Sequence, residues 1–261
     1  MCIYKLIRKD KLIMINVFVN GCNGRMGRTI ISQIENFNNL NLVGGFDITK
    51  NENATFPIFN DFKDIDVKID VIIDFSYITM TLDMLEYASE NNIPVVIATT
   101  GFTAEQENKI KEYSKNLPIF KSSNMSFDIN LMSKIVAEVA KKLSNSDIEI
   151  IETHHNQKKD SPSGTALLLA DSINEVFDNK KEYVFDRHSK SEKRSSNEIG
   201  FSSIRGGNIV GEHTVQFFSP YETFEIKHTS YSRNLFAEGA LKAAEFLVDQ
   251  PNGFYNMNDL V

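Results

Sequence analysis

Near its amino end the chain reads Ile15-Asn16-Val17-Phe18-Val19-Asn20 and then Gly21-Cys22-Asn23-Gly24-Arg25-Met26-Gly27. A short β-branched run breaking into three glycines spaced GxxGxxG calls for a buried strand that turns sharply into a helix, since glycine alone tolerates such a backbone without strain. Similar runs recur at residues 42–47, 71–75, 94–99 and 118–122, each apolar on both faces. Between several of them lie segments with helical spacing, at 28–36, 79–90 and 104–115. Strands apolar on both faces and alternating with helices predict an α/β fold, a Rossmann-like doubly wound parallel sheet covered on both sides.

From residue 125 the pattern changes. Residues 128–143 form an amphipathic helix with Ile129, Met132, Ile135, Val136, Val139 and Leu143 on one face. Residues 147–153 read as a strand and 165–177 as a helix; the polar stretch 180–197 reads as a loop or a poorly ordered excursion. Alternating strands at 199–205, 213–219 and 223–229, joined by turns at Gly206-Gly207 and Pro220, predict an antiparallel or mixed sheet. A last amphipathic helix covers 234–248. The expected organisation is a nucleotide-binding domain from 14–124 plus 232–261, with an inserted mixed α+β sheet domain at 125–231.

Charge and cysteine usage narrow the class. The 261 residues carry a formal net charge of −7, a poor balance for holding nucleic acid or an anionic membrane. Two cysteines, Cys2 and Cys22, support neither a disulfide framework nor a cysteine-based zinc site. Lys5, Arg8, Lys9 and Lys11, an apolar segment at 12–19 and Cys22 imitate a lipoprotein signal. Asn16 interrupts that segment, Asn20 stands beside the supposed cleavage point, and Cys22 lies inside the glycine loop. The expectation is a cytoplasmic protein whose residues 1–13 are a leader of unclear role, with Met14 as an alternative start.

The glycine loop suits a dinucleotide: glycines let a pyrophosphate approach the backbone, and the helix beyond offers free N–H groups and a positive dipole end. Arg25 adds a charge. Asp47 follows Gly27 by 20 residues, where an acidic residue commonly binds the adenosine ribose. Its carboxylate would repel a 2′-phosphate, so NADH is expected over NADPH, a preference that Lys50 could soften. Strand ends at Asp74-Phe75-Ser76 and Ala98-Thr99-Thr100 put small or hydroxyl-bearing residues at the same sheet edge. Phe102 fits either the coenzyme's surroundings or the core.

The richest segment is Glu152-Thr153-His154-His155-Asn156-Gln157-Lys158-Lys159-Asp160-Ser161-Pro162-Ser163-Gly164-Thr165. Adjacent histidines on extended backbone point to opposite sides, so a shared metal is not expected. Histidine exchanges protons near neutrality, lysine is a fixed cation, and Gly164-Thr165 at a helix start offers N–H groups to a carboxylate. Together they describe a pocket for a small acid that undergoes proton transfer.

The runs GCNGRMG, ATTGF, SSNMS, ETHHNQKKDSPSGTA and FSSIRGGNIVGEHTV, in this order, closely resemble the dihydrodipicolinate (4-hydroxy-tetrahydrodipicolinate) reductase family from Met14 to the final helix. The resemblance implies NAD(P)H-dependent reduction of a cyclic dicarboxylate in the diaminopimelate route to lysine, with no metal, by a homotetramer built through the inserted sheet domain. It implies that His154 and Lys158 are catalytic and that His155, Gly164 and Thr165 bind substrate. Gly21, Cys22, Asn23, Gly24, Arg25, Met26, Asp47, Ala98, Thr99, Thr100, Ser122, Ser123, Asn124 and Met125 would line the coenzyme. Ala98 replaces a glycine of many relatives, and residues 122–125 replace a more apolar sequence. A different two-domain dehydrogenase would usually need a catalytic cysteine, and Cys22 sits on the wrong loop. A non-catalytic NADH sensor would bind coenzyme without turnover.

Overall fold

The computed structural model describes residues 14–49, 51 and 53–261. The proposed leader and Lys50 lie outside them. The chain divides into two compact units, residues 14–125 with Ala237–Leu260, and Ser126–Phe236 with Val261.

The first unit runs β1 (Ile15–Asn20), α1 (Arg25–Gln33), β2 (Leu40–Phe46), β3 (Ile58–Phe59), β4 (Val71–Asp74), α2 (Ile78–Asn91), β5 (Val95–Ile97), α3 (Ala104–Tyr113) and β6 (Pro118–Lys121). The second runs α4 (Phe127–Lys142), β7 (Asp147–His154), α5 (Gly164–Val176), β8 (Glu182–Val184), β9 (Glu198–Arg205), β10 (Gly211–Phe218) and β11 (Thr223–Ser230). Then α6 (Asn234–Leu247) leads back to β12 (Gly253–Tyr255) and α7 (Met257–Leu260).

The first sheet has seven strands in the order β12-β6-β5-β4-β1-β2-β3, every pairing parallel. Val17, Phe18, Val19, Val71, Ile72, Ile73, Val95, Val96 and Ile97 are fully buried, as strands covered on both faces require. Phe18, Ile72, Val95 and Ile97 join Met84 and Leu85 of α2 and Ile110 of α3 in one core. Phe102 is partly buried and packs against that core.

The second sheet has five strands in the order β11-β10-β7-β9-β8. β10 pairs antiparallel with β11 and β7, whereas β9 pairs parallel with β7 and β8, so the sheet is mixed. One face supplies Ile148, Ile150, Ile199, Phe201, Val215 and Phe217 to a core shared with α4 and α5.

Residues 180–197 differ from their reading as a loop. They contain β8, and Arg194 anchors the remainder by bonding the Asp147 carboxylate at 2.7 Å, that of Glu149 at 3.1 Å and the carbonyls of Ile148 and Glu198 at 2.9 and 2.8 Å. Spacing in sequence gives no hint of these partners, which lie 45 and 47 residues away for the two carboxylates.

Candidate active site

In the first unit β1 lies between β2 and β4, so successive crossovers depart in opposite directions there and leave a crevice at the carboxyl ends. Gly21 leaves β1 at φ +80°, and a Cβ on it would stand 2.6 Å from the Phe75 carbonyl oxygen. A Cβ on Gly27 would stand 2.2 Å from the Gly21 carbonyl oxygen, so this glycine lets α1 pack onto the turn. Gly24 caps α1 without a side-chain bond, having no side chain to give one. Arg25 opens α1 and is exposed, with Met26 half-buried beside it.

Asp47 follows β2 and faces this loop. Its Oδ2 accepts from the Asn23 N–H at 3.0 Å, and its Oδ1 accepts from the Thr49 N–H at 3.1 Å and hydroxyl at 3.0 Å. Cys22 is buried, its sulfur against Gly45, and burial pushes its thiol up to about 12. It therefore contributes backbone, and its thiol is inert. Ala98 donates its N–H to the Asp74 carbonyl at 2.9 Å, Thr99 Oγ1 accepts from the Ser76 N–H at 3.1 Å, and Thr100 is exposed. After β6, the Ser122 hydroxyl donates to the Asn124 carbonyl at 2.8 Å and accepts the Asn124 N–H at 3.2 Å. Ser123 is exposed and Met125 buried. These residues follow β1, β2, β5 and β6, on the edge where an open parallel sheet binds a dinucleotide. The glycine turn and uncapped helix start fit a pyrophosphate.

Beneath that edge is a carboxylate to which residue order alone assigns no role. Asp74 is fully buried and accepts from Asn20 Nδ2 at 2.8 Å, Ser76 Oγ at 2.5 Å and Thr81 Oγ1 at 2.7 Å. Burial raises its pKa, against the opposing effect of these donors.

In the second unit, β7 carries Glu152 and His154 on its buried face, with Thr153 and His155 only partly covered. His154 Nδ1 lies 2.5 Å from Glu152 Oε2. Arg205, closing β9, grips Glu152 with both terminal nitrogens at 2.8 and 2.7 Å and donates to the Asp160 carbonyl at 2.7 Å. Burial pushes Glu152 upward, but the bonds from Arg205, His154 and Ser203 win and hold it down to about 2. Burial lowers His154 and the Lys158 and Arg205 cations add to that; the Glu152 charge opposes them. Lys158 Nζ pairs with Asp160 at 2.8 Å.

Ser163 caps α5, its hydroxyl accepting the Ala166 N–H at 3.1 Å, and places Gly164 and Thr165 in the first turn. A Cβ on Gly164 would meet nothing within 4 Å, so open space lies above this helix start. The Ser163 hydroxyl also lies 2.9 Å from Nε2 of His213, a buried histidine whose ring meets that of His154 edge-on at 5.1 Å. Burial, with His154 nearby, pushes His213 down to about 3. Among the described residues no group of three His, Cys, Asp or Glu could hold a metal.

The structure thus gathers His154, Lys158 and the Gly164-Thr165 helix start around Glu152, Arg205 and His213, three residues with no role in the sequence reading. Strand alternation places Glu152 on the face of His154, so that one was within reach. Arg205 and His213 lie 53 and 61 residues beyond Glu152 and arrive only through sheet register.

The family described as Dihydrodipicolinate reductase, N-terminus, matches residues 15–125, and Dihydrodipicolinate reductase, C-terminus, matches residues 128–261. A 4-hydroxy-tetrahydrodipicolinate reductase of Caldanaerobacter subterraneus is 47% identical over 250 residues, covering 95% of this chain and 99% of that protein. One from Clostridium tetani is 47% identical over 247 residues, covering 94% and 96%. Among solved structures, the dipicolinate-bound dihydrodipicolinate reductase of Paenisporosarcina sp. TG-14 superposes with a TM-score of 0.81 at 26% identity, covering 95% of this chain and all of that one. A myo-inositol dehydrogenase of Corynebacterium glutamicum shares the fold alone, at TM-score 0.60 and 16% identity over 93% and 90% of the two chains. Matched along both units and at nearly half its positions, the chain belongs to the dihydrodipicolinate reductase family.

Proposed function

We infer that this chain reduces 4-hydroxy-tetrahydrodipicolinate to tetrahydrodipicolinate with NAD(P)H, in the diaminopimelate route of lysine biosynthesis. The observation that carries this reading is one constellation in the second unit, a buried Glu152–His154 pair and the Lys158 cation beside the open start of α5, in a chain of this family. NAD(P)H supplies a hydride when bound. Gly21 to Met26 hold its pyrophosphate, Asp47 the ribose, and Ala98 to Thr100 and Ser122 to Met125 the remaining edge.

The first amides of α5, at Gly164 and Thr165, and the partly covered His155 bind the substrate's carboxylates. Lys158 places a cation where negative charge develops on the ring as it is reduced, and His154 exchanges the accompanying proton. Lys158 is held by Asp160, which is 60% exposed, so a substrate carboxylate can take over the ammonium at little cost.

NADH is the preferred coenzyme, because the Asp47 carboxylate, holding the ribose, would repel a 2′-phosphate. The enzyme is cytoplasmic, a reading supported by Cys22, which is buried in the glycine turn. The active species is a homotetramer assembled through the sheet of the second unit. The face of that sheet opposite the helices leaves Ile204 50% and Phe218 38% exposed. Sedimentation at micromolar concentration should give four times the chain mass; a monomer would rule the assembly out. The activity is tested by coupling the chain to dihydrodipicolinate synthase and following NADH absorbance. Oxidation of NADH that depends on synthase product is expected, and coenzyme binding without turnover would overturn the reading.

A further inference from the structure

Glu152 does more than pair with a cation. Its side chain is 1% exposed, yet both oxygens are saturated. Oε2 meets His154 Nδ1 at 2.5 Å and accepts from Arg205 at 2.8 Å, while Oε1 accepts from Arg205 at 2.7 Å and from the Ser163 N–H at 3.2 Å. The two oxygens are thereby divided between the imidazole and the residue that caps α5. Buried this deeply, the Glu152–Arg205 ion pair needs its remaining lone pairs satisfied, and these two contacts satisfy them.

The arrangement has a consequence for the imidazole. An ionised carboxylate only accepts hydrogen bonds, so the proton between Glu152 and His154 sits on Nδ1. Nε2 is then the nitrogen left for proton exchange. It points toward Gly211, where an added Cβ would stand 3.0 Å away, so any side chain at that position would crowd this nitrogen.

We propose that Glu152 is a positioning residue that sets, from one carboxylate, both the Nδ1-protonated state of His154 and the placement of the Ser163-Gly164 head of α5. The inference rests on the roles given above to His154 and Gly164. It makes proton exchange and carboxylate binding depend on the same buried group, so the two functions fail together when that group is changed.

The charged and titratable groups facing His154 are Glu152 on its own strand, Lys158 on the following loop, Arg205 on β9 and His213 on β10. Of these only Glu152 favours the protonated imidazole; the cations oppose it. Glu152→Gln keeps the shape and removes the charge. In that variant His154 should titrate at lower pH by imidazole NMR, and the same ionisation should move to lower pH in the pH–rate profile. kcat should fall by about 10- to 100-fold, the Kd of pyridine-2,6-dicarboxylate should rise, and NADH affinity should hold. An unmoved His154 titration, or dicarboxylate affinity equal to wild type, overturns the proposal. Should E152Q fail to fold, the wild-type 15N imidazole spectrum above the His154 pKa decides alone: an Nε2-protonated ring overturns it. A wild-type chain that shows the Nδ1-protonated ring but reduces no synthase product would sink the assigned activity and leave the first half of this proposal standing.

Discussion

Lys158 and Asp47 are charges whose removal separates binding from chemistry. The ammonium of Lys158, 20% exposed, pairs with Asp160, 60% exposed, and a pair with one well-solvated partner contributes about 1 kcal/mol to stability. Lys158→Ala should therefore fold normally while kcat falls by about 100-fold or more and substrate KM rises, since in the proposed mechanism the cation faces charge that grows during reduction. Coenzyme affinity should stay near wild type, and unchanged turnover would remove Lys158 from the chemistry. Asp47 is held by Asn23 and Thr49, so Asp47→Ser keeps a hydrogen-bonding group and loses the repulsion of a 2′-phosphate. The ratio of kcat/KM for NADH over NADPH should fall in D47S, and a ratio already near one in the wild type would contradict the preference. Both residues are singled out by the sequence because each stands at a fixed interval from a recognisable run. Asp74 is not: an aspartate closing a strand looks like any turn residue until Asn20, Ser76 and Thr81 are seen to enclose it.

At the scale of elements, the central strands β1, β4 and β5 and the helices α1 to α6 are legible from periodicity, because burial on two faces or one stripe writes itself into residue order, whereas the single turn of α7 is not. Boundaries moved by a residue or a few. α1 begins at Arg25 rather than 28 because the third glycine lies inside the helix, and residues 34–36 tighten into a 3-10 turn. Strands β3, β8 and β12 were missed, being edge strands of two or three residues that hold only by register to a neighbour. The strand–turn–helix unit gives its own prediction. A methyl group at position 27 would stand 2.2 Å from the Gly21 carbonyl oxygen, so Gly27→Ala must push α1 off the turn. Overpacking of this kind costs about 1–3 kcal/mol. By calorimetry G27A should lose NADH affinity while binding of pyridine-2,6-dicarboxylate, a property of the other unit, is kept. Equal loss of both would mean general unfolding rather than a local defect.

Across the whole molecule, the buried titratable groups of the two units respond to acid with opposite sign. In the second unit His213 is held down to about 3 in the fold and Glu152 to about 2. Both are below their unfolded values, so on acidification the unfolded chain takes up protons that the folded unit refuses. Stability from His213 is complete above about pH 6.5 and is lost progressively as pH falls toward its folded value; the part from Glu152 follows below about pH 4.3. In the first unit Asp74 is raised by burial, so its folded form takes a proton more readily than the unfolded chain and its share of stability is lost as pH rises. The second unit should therefore lose urea resistance first as pH is lowered from 7 toward 5. Hydrogen exchange corrected for intrinsic rates should show β7 and β10 opening before β1 and β4. In His213→Gln the slope of stability against pH over that window should flatten, because the group that refuses the proton is gone. Simultaneous opening of both sheets, or an unaltered slope in H213Q, would place the acid sensitivity elsewhere in the chain.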